Sequence, residues 1–191
     1  PYYISMSSVE EEKRLNSIRY ILDSARAVNA MGGNRIVVHT GSCSKISREE
    51  ALALATDTMK LAIKALDDEG LSNVRICPET MGKINQLGTL EEVLELCGVD
   101  ERFLPTVDFG HLNARALGGV FNTADDYIRV FDRIDRTFGS EVAKKLGFDG
   151  MIIIGCVRVD NTDAATLQKY KDIGFDGYIC YTFGENSYSA D

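Results

Sequence analysis

The chain has 191 residues, 45% of them hydrophobic and 26% charged, with a formal net charge of −8. That composition suits one globular domain large enough to bury a core, and no apolar run approaches the ~18–20 residues of a bilayer-spanning helix. Net acidity by itself argues against a nucleic-acid partner, unless bound divalent cations reverse the sign inside a local cleft.

The five cysteines, Cys43, Cys77, Cys97, Cys156 and Cys180, are widely spaced and form no C-x-x-C pair. This excludes a disulfide framework and a structural zinc finger, and fits a reducing cytoplasm. The chain opens on "PYYISM", already strand-like and without an initiator methionine. It reads as an N-terminally truncated piece of a longer protein.

Strand-like and helix-like segments then alternate. "YYISM" (2–6) is a short strand. Residues 9–30 have an amphipathic helical period, with Leu15, Ile18, Ile21, Leu22 and Ala25 on one face. Met31-Gly32-Gly33 ends that helix. "RIVVH" (35–39) is β-branched and apolar, a buried strand. Ser47 caps a helix over roughly 48–69, with Glu50 completing the reciprocal cap. "NVRICPE" (73–79) is a strand, "TLEEVLELC" (89–97) a helix and "RFLPTVD" (102–108) a strand.

A helix over 123–138 follows, capped by Thr123; "GMIIIGCV" (150–157) is the most hydrophobic strand. "DAATLQKYKDIG" (163–174) is a helix and "GYICYTF" (177–183) a last strand. The joints "LGFDGMIII" (146–154) and "IGFDGYICY" (173–181) share one glycine-bounded turn, read as a common loop solution.

Apolar strands alternating with crossover helices imply a parallel sheet, either an open doubly wound one or a (β/α)8 barrel. Neither "GSCSKIS" nor "GKINQLG" is a nucleotide-cradling glycine loop. Polar residues stand instead at the C-terminal ends of successive strands, where a barrel carries its site. The reading is a single α/β (β/α)8 TIM-barrel domain over 1–191, incomplete, with about six βα units present.

Those strand ends carry the chemistry. His39 closes "RIVVH", Glu79 closes "VRICPE", Asp108 closes "FLPTVD", and His111 follows in what reads as a loop. Singly, each has an ordinary account: a histidine bonding a loop, or a carboxylate paired with Lys83. Together they form a set of two imidazoles and two carboxylates at one barrel mouth, the donor mix of zinc, manganese or iron. Cys43 is a reactive thiol only if a cation lies beside it. Lys45, Arg48, Lys83 and Arg115 flank the strand ends, as substrate contacts or as solvated charge. Asn85 and Gln86 shape their loop or touch substrate.

In this order the motifs resemble the endonuclease IV family of apurinic/apyrimidinic endonucleases, within the xylose-isomerase-like TIM barrels. "VVHTGS" is similar to that family's V-H-P-G-S, "CPETMGKINQLGTLEEV" to its L-E-N-T-A-G-…-N-x-L-G stretch, and "TVDFGHLNAR" to its L-D-T-C-H-x-F segment. "PYYISMSS" resembles the strand that directly follows a ligand histidine in H-A-P-Y. The resemblance runs over roughly 1–140.

It implies a TIM barrel with a cluster of divalent metals, Zn2+ first and Mn2+ as alternative. It also implies DNA containing abasic sites as partner, hydrolysis of the phosphodiester 5′ to the abasic site, no membrane, and a monomeric, cytoplasmic full-length parent. Carried over by motif, His39 matches a zinc ligand and Glu79 the catalytic carboxylate bridging two metals. Asp108 matches a ligand of that pair and His111 a ligand of a further ion. On this reading Lys45, Lys83 and Arg115, from their position beside the strand ends rather than from any motif, would be the DNA contacts.

The tail, 146–191, departs from the pattern. No histidine follows His111, so Asp160 or Asp163 would have to substitute for ligand histidines. Glu185 falls a few residues late for the last ligand glutamate. That end is closer to a sugar isomerase or epimerase barrel. The alternatives are therefore a metal-dependent sugar isomerase/epimerase of the same superfamily, or an inactive barrel fragment.

Overall fold

Helices and strands alternate in the order α1 (Glu11–Ala30), β1 (Arg35–Val38), α2 (Arg48–Asp68), β2 (Arg75–Pro78), α3 (Leu90–Cys97), β3 (Val107–Asp108), α4 (Phe109–Arg115), α5 (Ala124–Phe138) and β4 (Ile152–Ile153). The computed structural model describes residues 4–43, 45–139 and 152–153. The expected helix over 163–174, the strand over 177–183, most of 150–157 and the tail residues Cys156, Asp160, Asp163, Cys180 and Glu185 lie outside them. The chain divides into two units, one ending at Thr106 and the other beginning at Val107.

In the first unit β1 and β2 pair in parallel, with Arg35 opposite Arg75, Ile36 opposite Ile76 and Val38 opposite Pro78. Residues 102–106 continue the same ladder on the other side of β2. Leu104 N–H donates to the Ile76 carbonyl at 3.2 Å, and Thr106 N–H to that of Pro78 at 2.8 Å. The proline carbonyl can accept although its nitrogen cannot donate, so Pro78 fits at the end of β2. The strand expected over 102–108 is therefore present as bridges at Phe103 and Thr106, followed by β3.

Helices flank this ladder. Ser47 Oγ accepts the Glu50 N–H and the Glu50 side chain accepts the Ser47 N–H, as the sequence predicts. Thr89 and Glu92 repeat the device at the start of α3. The core of the unit is aliphatic: Met6, Ile21, Val38, Met59, Leu66, Ile76, Leu87, Leu94 and Leu96 are all shielded from water. Each such side chain contributes on the order of 1.5–3 kcal/mol of hydrophobic stabilisation.

Two expectations are corrected here. Residues 4–6 of the expected N-terminal strand are not in a strand. Ser5 N–H donates to Ser17 Oγ at 2.8 Å, and Ser8 N–H turns back to the Ser5 carbonyl at 3.2 Å. The Ser5 N–H is thus taken by a side chain of α1 rather than by a strand partner. Thr58 Oγ then donates to the Met6 carbonyl at 2.9 Å and ties this segment to α2. The buried line of α1 is Ser17, Ile21 and Ala25, with Ser17 bonded to Ser5 and Leu15 left exposed.

In the second unit β3 pairs in parallel with β4, Asp108 opposite Ile153. An aromatic cluster fixes the segment after β3. Phe109 meets Phe121 edge-on at 5.1 Å and Tyr127 at 4.9 Å between ring centres, with Phe131 at 5.9 Å. Such pairs contribute about 0.5–1.5 kcal/mol each beyond area burial. α5 buries Tyr127, Val130 and Ile134.

Candidate functional site

Parallel register brings the first pair together. Val38 and Pro78 are opposed at the ends of β1 and β2, so the next residues, His39 and Glu79, are neighbours. Glu79 N–H donates to the Val38 carbonyl at 3.1 Å, and Thr80 N–H to the Thr106 carbonyl at 3.0 Å. The backbone at Glu79 is thus held from both flanking segments. Its carboxylate is buried, and Oε2 lies 3.3 Å from His39 Nε2. The imidazole faces it.

The second pair is built differently from expectation. His111 is not in a loop. Asp108 is the N-cap of α4, and its Oδ1 accepts the His111 N–H at 2.8 Å. Oδ2 lies 3.4 Å from His111 Nδ1. The three-residue spacing of "DFGH" is the spacing of a helix N-cap and its third residue. Phe109, between them, is locked in the aromatic cluster, so the carboxylate and the ring are placed by one buried anchor.

The loops after β1 and β2 are joined in the first unit. Thr40 Oγ1 donates to the Leu87 carbonyl at 2.6 Å, Leu87 N–H to the Gly41 carbonyl at 3.1 Å, and Cys43 N–H to the Asn85 carbonyl at 2.9 Å. Asn85 and Gln86 therefore shape the loop, Gln86 bridging Ser42. Gly41 has φ +125°, and a Cβ there would stand 2.1 Å from Ser7 Oγ. The "TGS" segment needs glycine because another chain segment occupies the side-chain position.

Arg48 clasps this assembly. It donates to both carboxylate oxygens of Glu92, at 2.6 and 2.7 Å, and to the carbonyls of Ile84 and Gln86 at 2.9 and 3.1 Å. Its guanidinium also reaches Cys43 Sγ at 3.1 Å. Burial alone pushes the Glu92 carboxyl up. The Arg48 bonds and the N–H groups of Gly88 and Thr89 outweigh it and hold the group at about 2. Sequence reasoning placed Arg48 with the DNA contacts or the solvated charges. Its bonds give it to the loops instead. The T-x-x-E cap pattern at 89–92 was the available signal for Glu92; its partner, 44 residues away, left none.

The expected cations occupy different surroundings. Lys45 and Lys13 line a cavity of about 160 Å3 with Ser5, Ser7, Ser8 and Ser42. Lys83 is exposed at the turn whose carbonyl accepts the Gln86 N–H at 3.0 Å. Arg115 is in the last turn of α4. Among the described residues, no helix is long and apolar enough to cross a membrane.

Carboxylate–imidazole pairs of this kind, with buried carboxylates and oxygen and nitrogen donors about 3.3–3.4 Å apart, fit a borderline divalent metal such as zinc or manganese.

Residues 1–180 match the model of the xylose isomerase-like TIM barrel family. An uncharacterized protein of Methanocaldococcus jannaschii is 34% identical over 146 residues, which is 76% of this chain and 52% of that protein. A protein named probable endonuclease 4 from Acholeplasma laidlawii is 29% identical over 185 residues, covering 95% of this chain and 58% of that one. The crystal structure of a D-tagatose 3-epimerase-like protein superposes with a TM-score of 0.60 at 20% identity, covering 94% of this chain and 66% of that chain. That last likeness speaks to the fold alone.

The chain belongs to the xylose isomerase-like TIM barrel family, and its α/β architecture is the barrel's. Within that family its sequence resembles the endonuclease IV proteins. It spans about half the length of the curated relatives it matches, 52% and 58%.

Proposed function

We propose that the chain is the metal-binding part of a hydrolase that cuts the DNA phosphodiester 5′ to an abasic site. The single observation that supports this most is the order His39, Glu79, Asp108, His111, delivered as two buried-carboxylate pairs at successive strand ends. A relative named probable endonuclease 4 aligns along 95% of the chain.

His39, Glu79, Asp108 and His111 would hold the metal, Zn2+ or Mn2+. Thr106 lies beside Glu79 in parallel register, and Asp108 follows it by two residues. A metal held there would polarise the phosphoryl oxygen and lower the pKa of a water. The chain's own part is orientation. The ladder fixes Glu79, and the helix cap fixes Asp108 and His111. Arg48 and Glu92 hold the loops, while Lys45, Lys83 and Arg115 meet the phosphates despite the overall charge of −8. The reading takes the full-length protein as a cytoplasmic monomer; the described cysteines, Cys43, Cys77 and Cys97, are free thiols, as a reducing compartment would keep them.

The competing reading, a one-metal sugar isomerase or epimerase, draws on the absence of any histidine after His111. One experiment separates them. The full-length protein, loaded with zinc or manganese, is given a duplex with a single abasic site, an intact duplex, and free ketohexoses. Incision confined to the abasic duplex, and lost in Glu79→Gln, is the expected result. Epimerised sugar with no incised DNA would overturn the proposal.

A further inference from the structure

Thr106 is 1% exposed. Its backbone is paired on both sides: the N–H donates to the Pro78 carbonyl at 2.8 Å, and its carbonyl accepts the Thr80 N–H at 3.0 Å. Its hydroxyl is different. Among the described residues it has no hydrogen-bond partner.

Other hydroxyls buried to the same degree are bonded within the protein. Ser7 Oγ donates to the Ser42 carbonyl at 2.8 Å and Ser17 Oγ to that of Lys13 at 2.8 Å. Thr40 Oγ1 donates to the Leu87 carbonyl at 2.6 Å and Thr58 Oγ1 to that of Met6 at 2.9 Å. A buried hydroxyl without a partner is costly. Valine has nearly the same shape, suits a strand at least as well, and would incur no such cost. Threonine at this position calls for an acceptor from outside the protein.

The hydroxyl is also within reach of one. Among the described residues the fully enclosed side-chain atom without a partner is Arg35 Nε. The Thr106 oxygen is not enclosed in that way, so the little surface that the residue keeps includes it.

Strand register decides where that oxygen faces. Glu79 and Thr106 are bridged in parallel, and opposed residues of a parallel pair present their side chains to the same face of the sheet. That face carries the Glu79 carboxylate and, 3.3 Å from it, the His39 imidazole. The opposite face is the packed one. Val38, Ile76 and Phe103, offset from these residues by one or three positions, are buried there. His39, Glu79 and Thr106 all belong to the first unit.

The three groups differ in what they offer. Glu79 and His39 are paired with each other, and no bond from Thr106 reaches either. Its hydroxyl is a neutral donor beside them, free to rotate toward an acceptor. The substrate read for this site supplies a charged one, the unesterified oxygens of a phosphodiester, to which hydrogen bonds are stronger than to neutral acceptors.

We propose that the Thr106 hydroxyl is a substrate-binding group that donates to an unesterified phosphoryl oxygen held beside Glu79. The proposal rests on the reading of the site as a DNA phosphodiester hydrolase and adds a neutral donor to its charged set.

The test compares the full-length, zinc- or manganese-loaded protein with Thr106→Val and Thr106→Ser. Inorganic phosphate, titrated calorimetrically, is the binding probe, and incision of an abasic duplex is the second readout. Valine should weaken phosphate binding roughly tenfold, and lower kcat/KM for incision by roughly tenfold to a hundredfold. Serine keeps the hydroxyl and should retain most of both. Bound metal in Thr106→Val should equal that of the wild type. Its Tm should equal or exceed the wild-type value, because the hydroxyl has no bond within the protein to lose.

Unchanged phosphate affinity or unchanged incision in Thr106→Val would overturn the assignment and leave the hydrolase reading standing. Reduced bound metal or a lowered Tm in that variant would also overturn it, since the hydroxyl would then serve the metal ligands or the core. A wild-type protein that binds phosphate and incises no duplex would sink the hydrolase reading, and the assignment with it.

Discussion

The Asp108 carboxylate is shared between two parts of His111: Oδ1 accepts its backbone N–H at 2.8 Å, and Oδ2 stands 3.4 Å from its ring Nδ1. One side chain therefore both starts a helix and positions an imidazole. The two duties separate by substitution. An asparagine keeps an oxygen for the cap and gives up the charge; an alanine gives up both.

Asp108→Asn should accordingly melt within a few degrees of the wild type while failing to retain metal. Asp108→Ala should lose about 1 kcal/mol more, the usual cost of a lost N-cap. Thermal melts with and without a chelator, alongside bound-metal analysis, measure both. Equal metal content in Asp108→Asn and the wild type would remove Asp108 from the ligand set.

Metal itself should stabilise the fold. A ligand that binds only the native state adds about 2.7 kcal/mol at a hundred times its Kd. Zinc or manganese should raise Tm reversibly, and Glu79→Gln should blunt the rise. A Tm indifferent to added zinc, manganese and chelator would leave the inactive-fragment alternative in possession.

The Arg48–Glu92 clasp predicts a particular acid sensitivity. Glu92 is held at about 2 in the folded protein, against roughly 4.3 in an unfolded chain. Its folded value is depressed, so the stabilisation is fully present above about pH 4.3 and is lost as pH falls toward 2. Glu92→Gln should cost about 2–3 kcal/mol at neutral pH and flatten the stability profile across that interval. Urea titrations at stepped pH measure it; a profile unchanged by the substitution would show that the clasp adds nothing.

Gly41→Ala and Gly70→Ala make a contrasting pair. Both positions have positive φ, but a Cβ at Gly41 would collide with Ser7 at 2.1 Å whereas none would be met at Gly70. Gly70→Ala should cost about 1 kcal/mol of backbone strain. Gly41→Ala should cost that and the displacement of Ser7, about 3 kcal/mol in all. Similar losses at the two sites would mean that the 5–8 segment gives way freely.

Much of the scaffold was legible in local patterns. The S-x-x-E at 47–50 marks the start of α2, and the apolar runs of β1 and β2 deliver His39 and Glu79 to their ends. α4 was missed for a physical reason. "FGHLNAR" is too short to show a period and carries a glycine in its first turn, so only Asp108 as a cap marks it. The burial of Ser17 and exposure of Leu15 could not be read either. Ser17 is buried where it accepts the Ser5 N–H, and apolar periodicity carries no record of such a bond. Arg48 and Glu92 lie 44 positions apart, beyond any local pattern.

Thr40, Gly41, Ser42 and Cys43 are stitched to residues 85–87 by backbone and side-chain bonds, and Ser7 fills the recess beside Gly41. An engineer who transplants either loop singly from another barrel will unpick the other. Retargeting this scaffold toward a new substrate will require exchanging both segments together with Ser7, as one cassette.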